Sequence, residues 1–186
     1  MQINRIKNGV LIGLCVLLFA LALYGINKYW NWHNQKIEFE ASQVFNLAEQ
    51  LRLEQKWAGA LDQYKLILTK YPRYTGKLEA EFKIANIYLH SLFDLQEATK
   101  YYTEIIKQKD RYNGEKRVAD TMIELADIYR AQGQPREAIG FLEEVQAEYP
   151  IQINKQYVYS QLVALYGQVG DQQKLADVLQ KQRGGL

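Results

Sequence analysis

The chain has 186 residues, 48% of them hydrophobic and 24% charged, with 23 Lys and Arg against 21 Asp and Glu for a formal net charge of +2. That length allows one ordinary domain beside any anchor, and so even a charge balance offers no electrostatic reason to bind nucleic acid. A lone cysteine, Cys15, permits no internal disulfide, and the only histidines, His33 and His90, do not form a cluster with metal-ligand spacing.

Residues 1–8 are a short basic tail carrying Arg5 and Lys7, and residues 9–26, GVLIGLCVLLFALALYGI, hold no charge. As a helix this run is roughly 27 Å long, about the thickness of a bilayer core, so a transmembrane helix is expected over 9–26. Tyr24, Tyr29, Trp30 and Trp32 follow, as an interfacial aromatic belt would. Gly9 and Gly13 form a GxxxG, a candidate membrane-helix packing face, and Cys15 reads as a bilayer-buried thiol. The short basic tail favours an inside N-terminus, with the rest of the chain outside the cytoplasm. Ala20-Leu21-Ala22 allows an alternative, a signal segment cleaved to release a soluble protein. No proline or glycine occurs from Ile26 to Ala58, so residues 27–40 read as a helical stem continuing into the first helix of the domain beyond. Such a stem would hold that domain at a set height above the membrane.

From 41 to 186 the chain repeats. The window 41–72 has Leu47, Ala48, Leu51, Trp57, Ala60, Tyr64, Ile67, Tyr71 and Pro72; the window 119–150 has Leu125, Ala126, Tyr129, Gly133, Ala138, Leu142, Val145, Tyr149 and Pro150. The spacings predict two antiparallel helices per unit. Ala48, Ala60, Ala126 and Ala138 allow close approach where helix A crosses helix B, and Leu47, Leu51, Tyr64 and Ile67 fill the space beside them. Gly133 suits a left-handed turn, Pro135 a first helical position, and Pro72 and Pro150 close helix B. A middle unit has Ile84, Ala85, Tyr88, Ala98, Tyr102 and Ile105, with one extra residue expected in the turn around Leu92 to Leu95 and Asp110 standing where proline would be. A fourth has Leu162, Tyr166 and Gly170, with its helix-B alanine shifted to Ala176. The repeats run about 41–74, 78–112, 119–152 and 156–183.

This pattern resembles the tetratricopeptide repeat (TPR) family, strongly in the first and third units and weakly in the fourth. The fold expected is all-α: an N-terminal transmembrane helix followed by a TPR helical-hairpin solenoid of three to four repeats. The resemblance implies a protein-binding inner face built mainly from helix A. It selects Phe45, Glu49, Arg52 and Leu53; Phe82, Asn86, Leu89 and His90; Ile123, Asp127 and Arg130; and Tyr157, Ser160 and Gln168. Asn86 and Arg130 would bond to a partner's backbone. Phe45 and Glu49 stand where chaperone-binding members of the family carry Lys and Asn, so a carboxylate clamp is not expected.

No Walker loop, GxGxxG or GxSxG is present, and the acid pairs Glu79/Glu81 and Glu143/Glu144 read as solvated helix faces. An enzyme is not expected, nor a cofactor, metal or small-molecule substrate. Outside residues 1–40, which hold Arg5, Lys7, Lys28 and Lys36 against Glu38 and Glu40, the 19 basic and 19 acidic residues balance. The architecture is similar to that of the bacterial ancillary subunit of the Sec translocon. That likeness implies a single-pass inner-membrane protein whose partners are integral-membrane or extracytoplasmic proteins. The expected function is a membrane-anchored scaffold for protein assembly; the alternatives are a permanent accessory subunit of a membrane complex and a cleaved soluble periplasmic adaptor.

Overall fold

Helix follows helix in this chain. The computed structural model describes residues 2–112 and 114–184, with side chains from Leu17 to Arg183. The α-helices are α1 (Gln2–Leu53), α2 (Trp57–Lys70), α3 (Lys77–Asn86), α4 (Leu95–Lys107), α5 (Lys116–Ala131), α6 (Pro135–Glu148), α7 (Lys155–Val169) and α8 (Gln172–Gly184). A π-helical turn, Ile87–Ser91, extends α3, and a 3₁₀ turn, Lys109–Tyr112, follows α4. The chain divides into two units, residues 1–43 and 44–186.

The first unit is the N-terminal part of α1. Leu17, Leu18, Phe19, Leu21, Leu23, Tyr24 and Ile26 are each more than half exposed. At 100° per residue these positions point to every side of the helix, so there is no polar face for water. Among the described residues no helix is long and apolar enough to cross a membrane. The expected span 9–26 lies partly outside the described side chains, and so do Gly9, Gly13 and Cys15.

The second unit is a stack of hairpins: residues 44–53 of α1 with α2, α3 with α4, α5 with α6, and α7 with α8. Ala48, Ala60, Ala85, Ala98, Ala126 and Ala138 are all buried at the crossings, flanked by buried Tyr64, Ile67, Tyr102, Ile105, Leu142 and Val145. Leu47 departs from its expected role. Its counterparts Ile84, Leu125 and Leu162 are buried, but Leu47 is 44% exposed. It belongs to the first hairpin, and among the described residues no earlier hairpin covers that face. In the fourth hairpin Ala176 is exposed rather than at the crossing. The bond from Leu175 N to Asp171 O matches Ala60 N to Lys56 O, Ala98 N to Asp94 O and Ala138 N to Gln134 O, so half-buried Leu175 holds that position. A terminal helix covered on one side only tolerates the larger residue.

All the turns between paired helices share one device. Gln55 (φ 58°), Phe93 (φ 55°), Gly133 (φ 72°) and Gly170 (φ 76°) are left-handed. The next backbone N–H bonds back into helix A: Lys56 to Leu51 (2.9 Å), Gln134 to Tyr129 (2.9 Å) and Asp171 to Tyr166 (3.0 Å). In the second hairpin the same bond runs from Asp94 to Tyr88 (2.8 Å), across one more residue. The inserted residue therefore does not lengthen the turn as expected. It is absorbed upstream in the π-helical turn, where Leu92 N bonds to Ile87 O (3.0 Å). The turn keeps its geometry because it sets how the two helices meet.

Phe93 occupies the left-handed position and is 79% exposed, so it gains little packing for its backbone cost. Phe93→Gly is expected to stabilise the solenoid by about 1 kcal/mol, read as an increased urea midpoint at unchanged slope.

A helix-A face with an internal network of polar pairs

The side chains selected as a binding face project from the helices A, and most are already engaged. Phe45 packs edge-on to Tyr64 with ring centroids 5.6 Å apart. Phe82 is buried, 5.9 Å from Tyr102, with the Arg117 guanidinium 4.8 Å over its ring. The two ring pairs lie within the first and second hairpins, and the Arg117 contact reaches from the third hairpin to the second. Leu53 is exposed, and Leu89 and Ile123 are half-buried. Ser160 Oγ donates to Tyr157 O at 2.7 Å. Gln168 is exposed.

Glu49, Asn86 and Asp127 occupy equivalent positions, and each accepts a tyrosine hydroxyl. Tyr64 donates to Glu49, Tyr102 to Asn86, and Tyr157 to Asp127 at 2.6 Å. A buried phenol needs an acceptor, and these three side chains supply one at successive levels of the stack. Burial first, and the adjoining carboxylate second, push the Tyr64 and Tyr157 hydroxyls well above the usual phenol range. Burial also raises Glu49, but hydrogen bonds from Arg52 and Tyr64 and the charge of Lys83 outweigh it and hold the carboxyl below its ordinary value.

Around this ladder runs a chain of alternating charges. Arg52 bonds Glu49 at 2.8 Å, Glu49 lies 3.8 Å from Lys83, and Lys83 lies 3.4 Å from Glu79. Arg117 grips the Glu79 carboxylate with two nitrogens and Asp120 with a third at 2.9 Å, and Lys116 reaches Asp120 at 2.8 Å. The chain links α1, α3 and α5. Beyond it the balance turns acidic. Glu124 is raised by burial, with Asp127 and Asp120 adding to the effect, and His90 at 3.6 Å opposes it. Arg130 is exposed and bonds Asp127 at 3.2 Å.

Two sequence expectations change. Asn86 has a structural task beside any contact with a partner's backbone, because its Oδ1 accepts from Tyr102. Asn86→Leu would strand that hydroxyl, so a loss of about 1–3 kcal/mol in stability is expected from urea melts rather than a pure binding defect. Of the acid pairs, Glu79/Glu81 is not a solvated face, whereas Glu143 and Glu144 stay partly exposed while paired. Glu79 is ion-paired as above, Glu143 accepts from Tyr166 and from Lys174, Glu144 pairs with Lys109, and Glu81 is 4% exposed. Glu81 lies on the helical stripe of Leu78, Phe82 and Ala85, a spacing that was legible in the sequence. The sequence reading did not include Lys83, Arg117, Asp120 and Glu124; the four-residue spacings Glu79–Lys83 on α3 and Lys116–Asp120–Glu124 on α5 were a signal for three of them.

Among the described residues, no group of three His, Cys, Asp or Glu side chains could hold a metal ion. The fold and this face define an all-helical, TPR-like solenoid. Residues 76–147, which hold the second and third hairpins, match the family model for the tetratricopeptide repeat. Two solved structures are similar in fold. BtubC (BKLC) from P. vanneervenii is 20% identical, with a TM-score of 0.61 over 77% of this chain and 61% of that one. A putative kinesin light chain of Podosopora anserina, built of nearly identical TPR-like repeats, is 18% identical, with a TM-score of 0.57 over 78% of this chain and 74% of that one. This chain thus spans about three fifths of the length of BtubC. None of the curated proteins matches the sequence.

Proposed function

We propose that this chain is a membrane-anchored scaffold that binds other proteins through its solenoid. One observation carries the anchoring half: from Leu17 to Ile26, α1 exposes large apolar side chains on every side. Such a helix is stable in a lipid core or inside a protein, and water is its worst solvent. Residues 9–26 supply the span, Arg5 and Lys7 hold the N-terminus inside, and the solenoid lies outside the cytoplasm. The binding half rests on the repeats, since stacked helical hairpins as a class present extended surfaces to other proteins. On this chain the solvent-facing charges of that face are His90 and Arg130, exposed and paired with Glu124 and Asp127, and Arg52, partly exposed and paired with Glu49; such surface pairs are exchanged for a partner's groups at little cost. The narrower reading, a subunit beside a protein-translocation channel, rests on architecture alone.

The test is purification of the full-length chain in mild detergent, with mass spectrometry of the proteins that remain bound. Co-purifying proteins that are lost in an Arg52→Glu/Arg130→Glu variant of unchanged helicity support the reading. A partner set untouched by that variant removes the helix-A face from the proposal. A fixed stoichiometric set of membrane proteins would make the chain a permanent accessory subunit rather than a recruiting scaffold.

A further inference from the structure

Just beyond the apolar length of α1 stands a stripe that anchoring alone does not require. Lys28, Trp32 and Lys36 recur at every fourth position, so they lie one above another on one side of the helix. All three are exposed, and the Lys36 ammonium stands 5.8 Å from the centre of the Trp32 ring. Lys28 has no acidic partner among the described residues. Lys36 has Glu40 at 3.9 Å, a pair of exposed side chains in loose contact that contributes little.

The chemistry of this stripe is directional. An indole settles at the headgroup level, where its ring meets apolar chains and its N–H meets water. Each lysine sits one turn from Trp32, about 6 Å along the axis, and a flexible four-carbon stem carries its charge to the same plane. Two cations then converge on the layer where lipid phosphates lie, with one of them unneutralised. A bilayer that is electrically neutral on average leaves that charge uncompensated, whereas one containing anionic lipid compensates it.

We infer that Lys28, Trp32 and Lys36 form a headgroup-binding station that selects anionic phospholipids where α1 leaves the bilayer. The inference rests on the anchored reading of α1. It adds a lipid partner and assigns the residues that hold it.

The experiment reconstitutes the full-length chain into vesicles of phosphatidylcholine mixed with phosphatidylglycerol. It scores flotation with the vesicles, then identifies by native mass spectrometry the lipids retained after gentle solubilisation. Phosphatidylglycerol is expected to be enriched over phosphatidylcholine, and the enrichment to fall about fivefold for each of Lys28→Gln and Lys36→Gln, with flotation and circular dichroism unchanged. Flotation without enrichment, or enrichment equal in the wild type and the double variant, overturns the inference and leaves the anchor standing. If the double variant keeps its lipid but loses a co-purifying protein, the stripe binds protein and the inference is also overturned. A chain that stays in the aqueous fraction with every vesicle overturns both readings.

Discussion

Lys77→Met is expected to lower the stability of the solenoid by about 3–5 kcal/mol at neutral pH, and to recover much of that loss relative to the wild type on acidification. Glu81 lies in the core with its Oε2 without a hydrogen-bond partner, and its Oε1 is held by Lys77 at 3.1 Å. Lys77 also donates to Gln108 Oε1 at 3.3 Å. Burial raises the Glu81 carboxyl above its ordinary value of 4.5; Glu104 on α4 adds to this, and Lys77 and Gln108 oppose it. A carboxyl raised in the folded state is most compatible with folding when protonated. Its contribution is full below the unfolded value and is lost as pH rises through the folded one. Removing Lys77 raises the folded value further, so the penalty grows as pH rises above the unfolded value and shrinks as pH falls back towards 4.5.

Replacing both partners behaves differently. Lys77→Met/Glu81→Met removes two desolvated charges together, and the position equivalent to Glu81 in the third hairpin is already Met122, fully buried. The double variant is expected to match the wild type or exceed it by about 1–4 kcal/mol. Urea melts followed by circular dichroism across a pH series, with each variant compared with the wild type at the same pH, decide the matter. A deficit independent of pH, or a double variant as damaged as the single one, would remove Glu81 as the cause.

Ala138→Leu should cost about 1–3 kcal/mol, while Ala176→Leu should stay within about 0.5 kcal/mol. Ala138 has no exposed surface and lies between α5 and α6, where stacked hairpins confine both helices. Extra methylenes there force the crossing apart or push neighbours off their rotamers. Ala176 faces outward on the last helix, and Leu175 takes the crossing position. The comparison tests the repeat assignment and its corrected register in the fourth hairpin together. Equal losses at both positions would restore the sequence alignment and contradict the observed one; no loss at either would contradict the crossing itself.

The alternation of large and small residues made the hairpins legible because helix periodicity is local: Ala48 and Ala60, or Ala126 and Ala138, announce their crossing by spacing alone. Gly133 and Gly170 likewise marked left-handed turns. Gln55 and Phe93, which adopt the same conformation, carried no such mark, since any residue can be held there at a cost. The extra residue of the second hairpin was countable in sequence but not placeable. Turn and helix could each have taken it, and the need to preserve the turn's long backbone bond moved it into a π-helical turn.

The candidate face divides the same way. By itself, the sequence determined that the chain is helical, that alanines mark the crossings, that an uncharged run precedes the repeats, and which side chains project from each helix A. Those properties depend on neighbours within a turn or two. Only the tertiary structure decided that Glu49, Asn86 and Asp127 serve tyrosine hydroxyls, that charges from Arg52 to Lys116 join across hairpins, that Leu47 stays uncovered and that Glu81 is buried. Such pairings depend on the angle and offset between stacked hairpins. A hydrogen bond made or lost over a few tenths of an ångström has no signature in the spacing of residues along one helix.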